Sequence, residues 1–206
     1  MKSIKEALVD WLNQLNNFSF KEYEQMPDID LYMEQVIGYL DKQLYIFKTT
    51  SDDKQVTPSM INNYVKGEVL PSPISKKYNR EHLAIIEEIC TLKQVLSIAD
   101  VKQIIDDRYS SDILKSDIFN DFNDRNNKKI ETAVSDSFQM LNNIDNNDTS
   151  KLVDVALDFA LTANAYINIA KRILFLTRQY EYIKKTQEAK DEVDKKKKDK
   201  KEKENE

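Results

Sequence analysis

Glycine is almost missing from this chain: Gly38 and Gly67 are its only two in 206 residues. That excludes a glycine-rich phosphate loop and makes hairpins closed by glycine turns unexpected. The single cysteine, Cys90, permits no intramolecular disulfide and no CxxC site; among Ile86, Ile89 and Leu92 it reads as a small core residue. The single histidine, His82, lacks partners of the type and spacing that a metal site or catalytic dyad needs, so a polar helix-start role is expected. Glu6 and Asp10 interrupt the first apolar stretch, so no signal peptide is expected there. No uninterrupted run approaches the roughly 20 apolar residues of a membrane span, so no membrane contact is expected and the protein reads as cytoplasmic and reduced. Asp121–Thr132 has the outline of a calcium loop, but Arg125, Asn126 and Thr132 stand where that loop needs a ligand, a glycine and a glutamate. With no triad, no phosphate loop and no metal cluster, the expectation is no enzyme, no catalytic residue, no metal and no cofactor.

What is present is 40% hydrophobic and 33% charged, enough for a real core under a heavily solvated surface. The formal charge of -5 argues against a whole-surface grip on nucleic acid, without excluding a local basic face. Helical spacing dominates. Ile4, Leu8, Trp11, Leu12 and Leu15 form one amphipathic stripe. Leu31, Val36, Leu40, Leu44 and Phe47 predict a second helix from about Ile29 to Phe47. Asn79 is placed to cap a helix carrying Leu83, Ile86 and Ile89. Ser97 and Asp100 predict a capped start for another with Val101, Ile104 and Ile105. After Asp106 the chain turns polar, with Ile113, Leu114, Ile118, Phe119 and Phe122 as scattered anchors. Ile130, Val134, Phe138 and Leu141 mark a further helix. From Leu152 to Ile183 apolar residues alternate spacings of three and four, a heptad-type seam that suits either packing within the monomer, against the Ile130–Leu141 helix and the N-terminal helix, or pairing of two protomers. The tail, Asp191–Glu206, is charged and of low complexity, so it is expected to be frayed or disordered.

The interruption lies at "TPSMINNYVKGEVLPSPISKKYNREHL", Thr57–Leu83. Thr57 is a good N-cap, Pro58 suits the first helical position, and Pro71 and Pro73 forbid regular helix beyond about Lys66. On this short helix Met60, Ile61, Tyr64 and Val65 share a core face. Ser59, Asn62, Asn63 and Lys66 share the other, with no acid among them. Asparagine is a poor helix former, so two in succession are costly for a purely structural helix. Asn bonds bidentately to the adenine edge in the major groove, and recognition helices reach bases with their first turns. Ser59, Asn62 and Asn63 are therefore the candidate base contacts. Thr57, Lys66, Lys76, Lys77 and Arg80 are candidate phosphate contacts. Between Lys54 and Arg80 five basic residues stand against one acid, Glu68, a local positive patch in an acidic protein. The plain alternative is that an Asn- and Lys-rich chain simply solvates this face.

The order of blocks resembles the MerR-type winged helix-turn-helix: Met60–Tyr64, then Val69-Leu70-Pro71, then Lys77-Tyr78-Asn79, then Leu96–Val101. More closely, Thr57–Leu83 followed by "LKQVLSIADVKQII" resembles the bacterial family filed as domain of unknown function 1836, over roughly Asp28–Asp106. The resemblance implies a DNA-binding, MerR-like fold. It puts Tyr64 and Lys77 in phosphate-contact roles and Asn62 and Asn63 where DNA is read. Glu68 stands where the MerR pattern has glycine, so the turn into the wing is expected to differ, and the metal-sensing cysteines of that class are absent.

The expected fold is all-α: a MerR-like winged helix-turn-helix core with an N-terminal helix and a long C-terminal helical region. The expected borders are 1–27, 28–108, 109–188 and a tail at 189–206. MerR-type regulators dimerise through a C-terminal helix, so Phe159, Tyr166, Ile169, Ile173, Leu176 and Tyr180 are the expected dimer contacts. The expected function is a sequence-specific, homodimeric transcriptional regulator of double-stranded DNA, with effector and operator unspecified. The alternative is a non-enzymatic helical interaction or adaptor module that keeps the winged-helix shape without binding DNA.

Overall fold

The computed structural model describes residues 2–48, 50 and 54–203, with side chains described as far as 192. Seven helices and two short strands follow in order: α1 (Ile4–Asn16), β1 (Leu31–Tyr32), α2 (Met33–Gln43), α3 (Pro58–Lys66), β2 (Lys77–Tyr78), α4 (Arg80–Leu92), α5 (Ile98–Tyr109), α6 (Lys115–Leu141) and α7 (Thr149–Lys203). The chain divides into two compact units, Met1–Leu161 and Thr162–Glu206. The expected borders at 27 and 108 both run through the first of these.

Helix α4 is the axis of the first unit. Every residue from His82 to Cys90 is buried. An apolar surface on all sides must be covered on all sides. Val36 and Leu40 of α2, Ile61 of α3, Val101 of α5 and Phe119 of α6 share its core cluster, each fully or almost fully buried. A second, smaller cluster joins Leu12 of α1 to Val134 and Leu141 of α6 and to Ile144. Lys5 ties α1 to the turn after α6, its backbone N–H donating to Asn146 O at 3.1 Å and its ammonium to Ile144 O at 2.7 Å.

Helix starts follow the sequence closely. Ser3, Thr57, Asn79 and Ser97 each accept a backbone N–H in the first turn of α1, α3, α4 and α5. His82 completes the α4 cap: its Nδ1 accepts the Asn79 N–H at 3.2 Å while Asn79 Oδ1 accepts the His82 N–H at 3.1 Å. One expectation needs correction. The helix foreseen from Ile29 begins only at Met33, because Leu31 and Tyr32 pair antiparallel with Tyr78 and Lys77. The polar stretch after Asp106 is mostly one helix, α6, whose Ile118, Phe119 and Asn123 are buried against the core. Asn123 Nδ2 donates to Phe20 O at 3.0 Å, while its Oδ1 is buried without a hydrogen-bond partner.

Helix α7 also departs from expectation. It contains an 18-residue window of mean hydropathy 1.3, making it the one helix among the described residues long and apolar enough to cross a membrane by length and composition. A search for uninterrupted apolar residues misses this because Asp154 and Asp158 interrupt the run. Helical backbone continues to Lys203; residues 204–206 of the expected tail lie outside the described residues.

Two carboxyls lie inside the core on successive residues of α4. Glu87 and Glu88 are both 0% exposed. Desolvation raises Glu87 from 4.5 to about 8, opposed in part by the Tyr39 hydroxyl and Lys21. Desolvation likewise raises Glu88 to about 7, opposed by the Tyr109 hydroxyl, which donates to it at 2.9 Å, and by Arg108. Both groups hold a proton in the fold that the unfolded chain releases near 4.5. Their stabilising contribution is complete below that value and is lost as pH rises through about 7 to 8. The unfolding free energy is therefore expected to fall by on the order of a few kcal/mol between about pH 5 and pH 8. Glu87→Gln should flatten part of that slope in chemical denaturation. An unchanged slope in the variant would show that Glu87 is already ionised in the fold.

Candidate functional site

Helix α3 is anchored by two side chains. Ile61 is 0% and Tyr64 5% exposed, one turn apart on the face toward the core. The opposite face carries Ser59, Asn62, Asn63 and Lys66, all exposed. Thr57 Oγ1 accepts the Met60 N–H at 3.3 Å, which leaves its own O–H free to donate outward. The helix closes at Gly67, whose N–H bonds back to Asn63 O at 2.9 Å.

The turn out of α3 explains an oddity of the sequence. Gly67 has an ordinary φ of -82°, whereas Glu68 has φ 55°. Glu68 thus occupies a left-handed position that favours glycine. Its carbonyl is held by the Lys102 ammonium. The Val69 and Leu70 N–H groups both return to Tyr64 O, at 2.9 and 3.2 Å, and both side chains are buried.

Beyond the two prolines the chain makes a tight hairpin. Ile74 bridges Lys77, and the Lys77 N–H donates to Ile74 O at 2.9 Å. The two residues between them, Ser75 and Lys76, have φ of 51° and 64°. Two successive positive values mark a type I′ turn, the kind that suits a twisted hairpin and usually needs Asn-Gly. Here a serine and a lysine take it at some strain, which lifts Lys76 to an exposed tip. β2 continues from this turn and pairs with β1.

The expected phosphate contacts separate into three groups. Thr57, Lys66 and Lys76 are available on the surface. Lys77 and Arg80 are half-buried and already engaged. Lys77 Nζ lies 5.1 Å from the Tyr32 ring centre, and Arg80 lies 5.7 Å over Tyr23 while its Nε donates to Pro27 O at 3.4 Å. Tyr64 is a correction. Its hydroxyl is buried with no hydrogen-bond partner, and burial raises its pKa well above the ordinary tyrosine value. The helical spacing places Tyr64 on the core face, and it is the role implied by the resemblance that the structure does not support. Strand pairing also brings Asp30, next to Leu31, to the Tyr78–Asn79 end of β2, which a count along Lys54–Arg80 omits.

His82 is a cap, and burial pushes the Cys90 thiol up to about 12, so it is not a nucleophile at neutral pH. Among the described residues no group of three or more His, Cys, Asp or Glu could hold a metal. In the second unit Tyr166, Ile169, Ile173, Leu176 and Tyr180 are between 48% and 68% exposed, and in the first Phe159 is half-buried.

Glu68→Gly and Lys76→Gly should each raise stability by about 0.5–1 kcal/mol, because glycine relieves the left-handed strain at some entropic cost. Urea unfolding checks this. Destabilisation by either would mean that the side chain's contacts outweigh the strain.

A family model described as Domain of unknown function (DUF1836) matches residues 21–128, more than half of the chain, covering β1 to the first half of α6. No curated protein and no solved structure matches the sequence.

Proposed function

The chain belongs to the DUF1836 family, and from that premise and the exposed stripe on α3 we propose that it is a sequence-specific DNA-binding protein, acting as a homodimeric transcriptional regulator. The observation that carries this is the α3 face itself: Ser59, Asn62, Asn63 and Lys66, all exposed, without an acid, on a capped helix rigidly seated through Ile61 and Tyr64. Short amides and hydroxyls on a fixed helix can meet base edges in the major groove. In this arrangement α2 and α3 form a MerR-type helix-turn-helix and the Ile74–Tyr78 hairpin is its wing. Ser59, Asn62 and Asn63 read bases. Thr57, Lys66 and Lys76 hold phosphates, and Lys77 and Arg80 brace the wing against Tyr32 and Tyr23. The apolar residues exposed on α7 support pairing of two copies, which would present two α3 helices to a two-fold site.

The exposed apolar surface of α7 also favours a second reading, a helical adaptor that binds a protein partner and no DNA. Under it, substitutions on α3 have no binding phenotype and a partner survives high-salt washing.

For the regulator, Asn62→Ala and Asn63→Ala should each cost about 1–3 kcal/mol at the preferred site and relax preference at one base pair. Lys66→Gln and Lys76→Gln should weaken binding uniformly and lower the salt slope by about one. Sequence preference unchanged in both Asn variants would remove base readout from α3. Ile173→Glu should convert the dimer to a monomer in sedimentation; a dimer that persists would place the contact elsewhere.

A further inference from the structure

A cleft of about 600 Å³ opens between α3 and the junction of α4 with α5. This volume suits a small-molecule site. Its walls are mainly apolar, with Met60, Leu96, Ile98 and Ala99 among them, and its only charged lining side chains are Lys93 and Lys102. Lys102 is occupied by Asp106 at 3.3 Å and by the Glu68 carbonyl. Lys93 is not paired with a carboxylate among the described residues; its ammonium rests 3.9 Å from the Met60 sulfur and 6.0 Å from the Tyr64 ring centre. The first turn of α5 forms part of the wall, adding the positive end of a 12-residue helix. The one nearby acid on that turn, Asp100, already accepts the Ser97 hydroxyl at 2.6 Å. Tyr64, another lining residue, is 5% exposed and closes the cleft on the core side.

Apolar walls, an ammonium without a carboxylate and the positive end of α5 describe a site for an anion with an apolar body. A phosphate–sugar backbone would leave those walls uncovered, and a cation would meet two lysines. We propose that the cleft between α3 and α5 binds an amphipathic carboxylate, with Lys93 as its counter-ion. Asn63 lines the same cleft, so occupancy changes what the α3 stripe offers to DNA. This regulatory half rests on the DNA-binding function proposed above; the binding half does not.

Methyl NMR of the full-length protein titrated with octanoate tests it, using octanol and octylammonium as controls. Octanoate is expected to shift the Met60, Ile98 and Ala99 methyl signals saturably. Octanol should bind at least about tenfold more weakly, and octylammonium weaker still. Lys93→Met should weaken octanoate about tenfold, and Ala99→Leu should exclude it by filling the wall; each is compared by its methyl spectrum with the parent, so that a folding defect is seen directly. Unmoved signals, equal binding of octanol, or full octanoate affinity in both variants would overturn the site. If octanoate binds and DNA affinity does not respond, only the regulatory half fails. If no DNA is bound at all, the DNA-binding function fails and the titration still decides the cleft.

Discussion

The first unit depends on one constraint: α4 must be covered on every side. Nine consecutive residues of that helix, His82 to Cys90, are buried, and two of them are glutamates. The apolar majority of those residues attracts α2, α3, α5 and α6 to its surface. The glutamates limit how this can be done. Glu88 is met by Tyr109 of α5 and lies 3.8 Å from Arg108, which itself reaches Asp121 of α6 at 3.1 Å. Glu87 has no charged group at ion-pair distance among the described residues and depends on retaining its proton. A charge inside such a helix costs far more than a neutral carboxyl, so the packing of the whole unit is linked to pH.

The rigidity of α3 follows from that packing. A nine-residue helix is marginal alone in water. It persists here because Ile61 and Tyr64 are inserted against the core, Thr57 caps one end, and the chain folds back through Val69 and Leu70 at the other. Four polar side chains are thereby held on the outside in a fixed pattern. The same turn places Glu68 in a left-handed conformation, and the hairpin beyond does so twice more at Ser75 and Lys76. Strain tolerated at three non-glycine residues in one segment is a feature often associated with functional loops.

Much of this was legible in the sequence where local chemistry decides. Thr57-Pro58 gave the start of α3, Asn79 that of α4 and Ser97 that of α5, since a capping side chain acts within its own turn. The exposure of Ser59, Asn62, Asn63 and Lys66 followed from helical period. What could not be read depends on contacts distant along the chain. Strand β1 exists only because β2 lies beside it, and Leu31 looks like any helical residue until Tyr78 is opposite. Helical period already puts Tyr64 on the core face; its outward phosphate role comes only from the MerR resemblance, and the structure keeps it buried. Nothing local marks Glu87 and Glu88 as buried, because α4 is enclosed by helices distant along the chain. The polar α6 was masked by its long exposed side, although Phe119 and Asn123 are buried on the other.

The most direct test of the central claim is binding of the full-length protein to the DNA upstream of its own coding sequence, at two salt concentrations with excess non-specific competitor. A protein that reads DNA through the α3 stripe and holds phosphates with Lys66 and Lys76 will bind competitor-resistantly, with affinity falling steeply as salt rises. Absence of binding at the lower salt, or binding that competitor removes completely, would contradict it and turn attention to the apolar surface of α7.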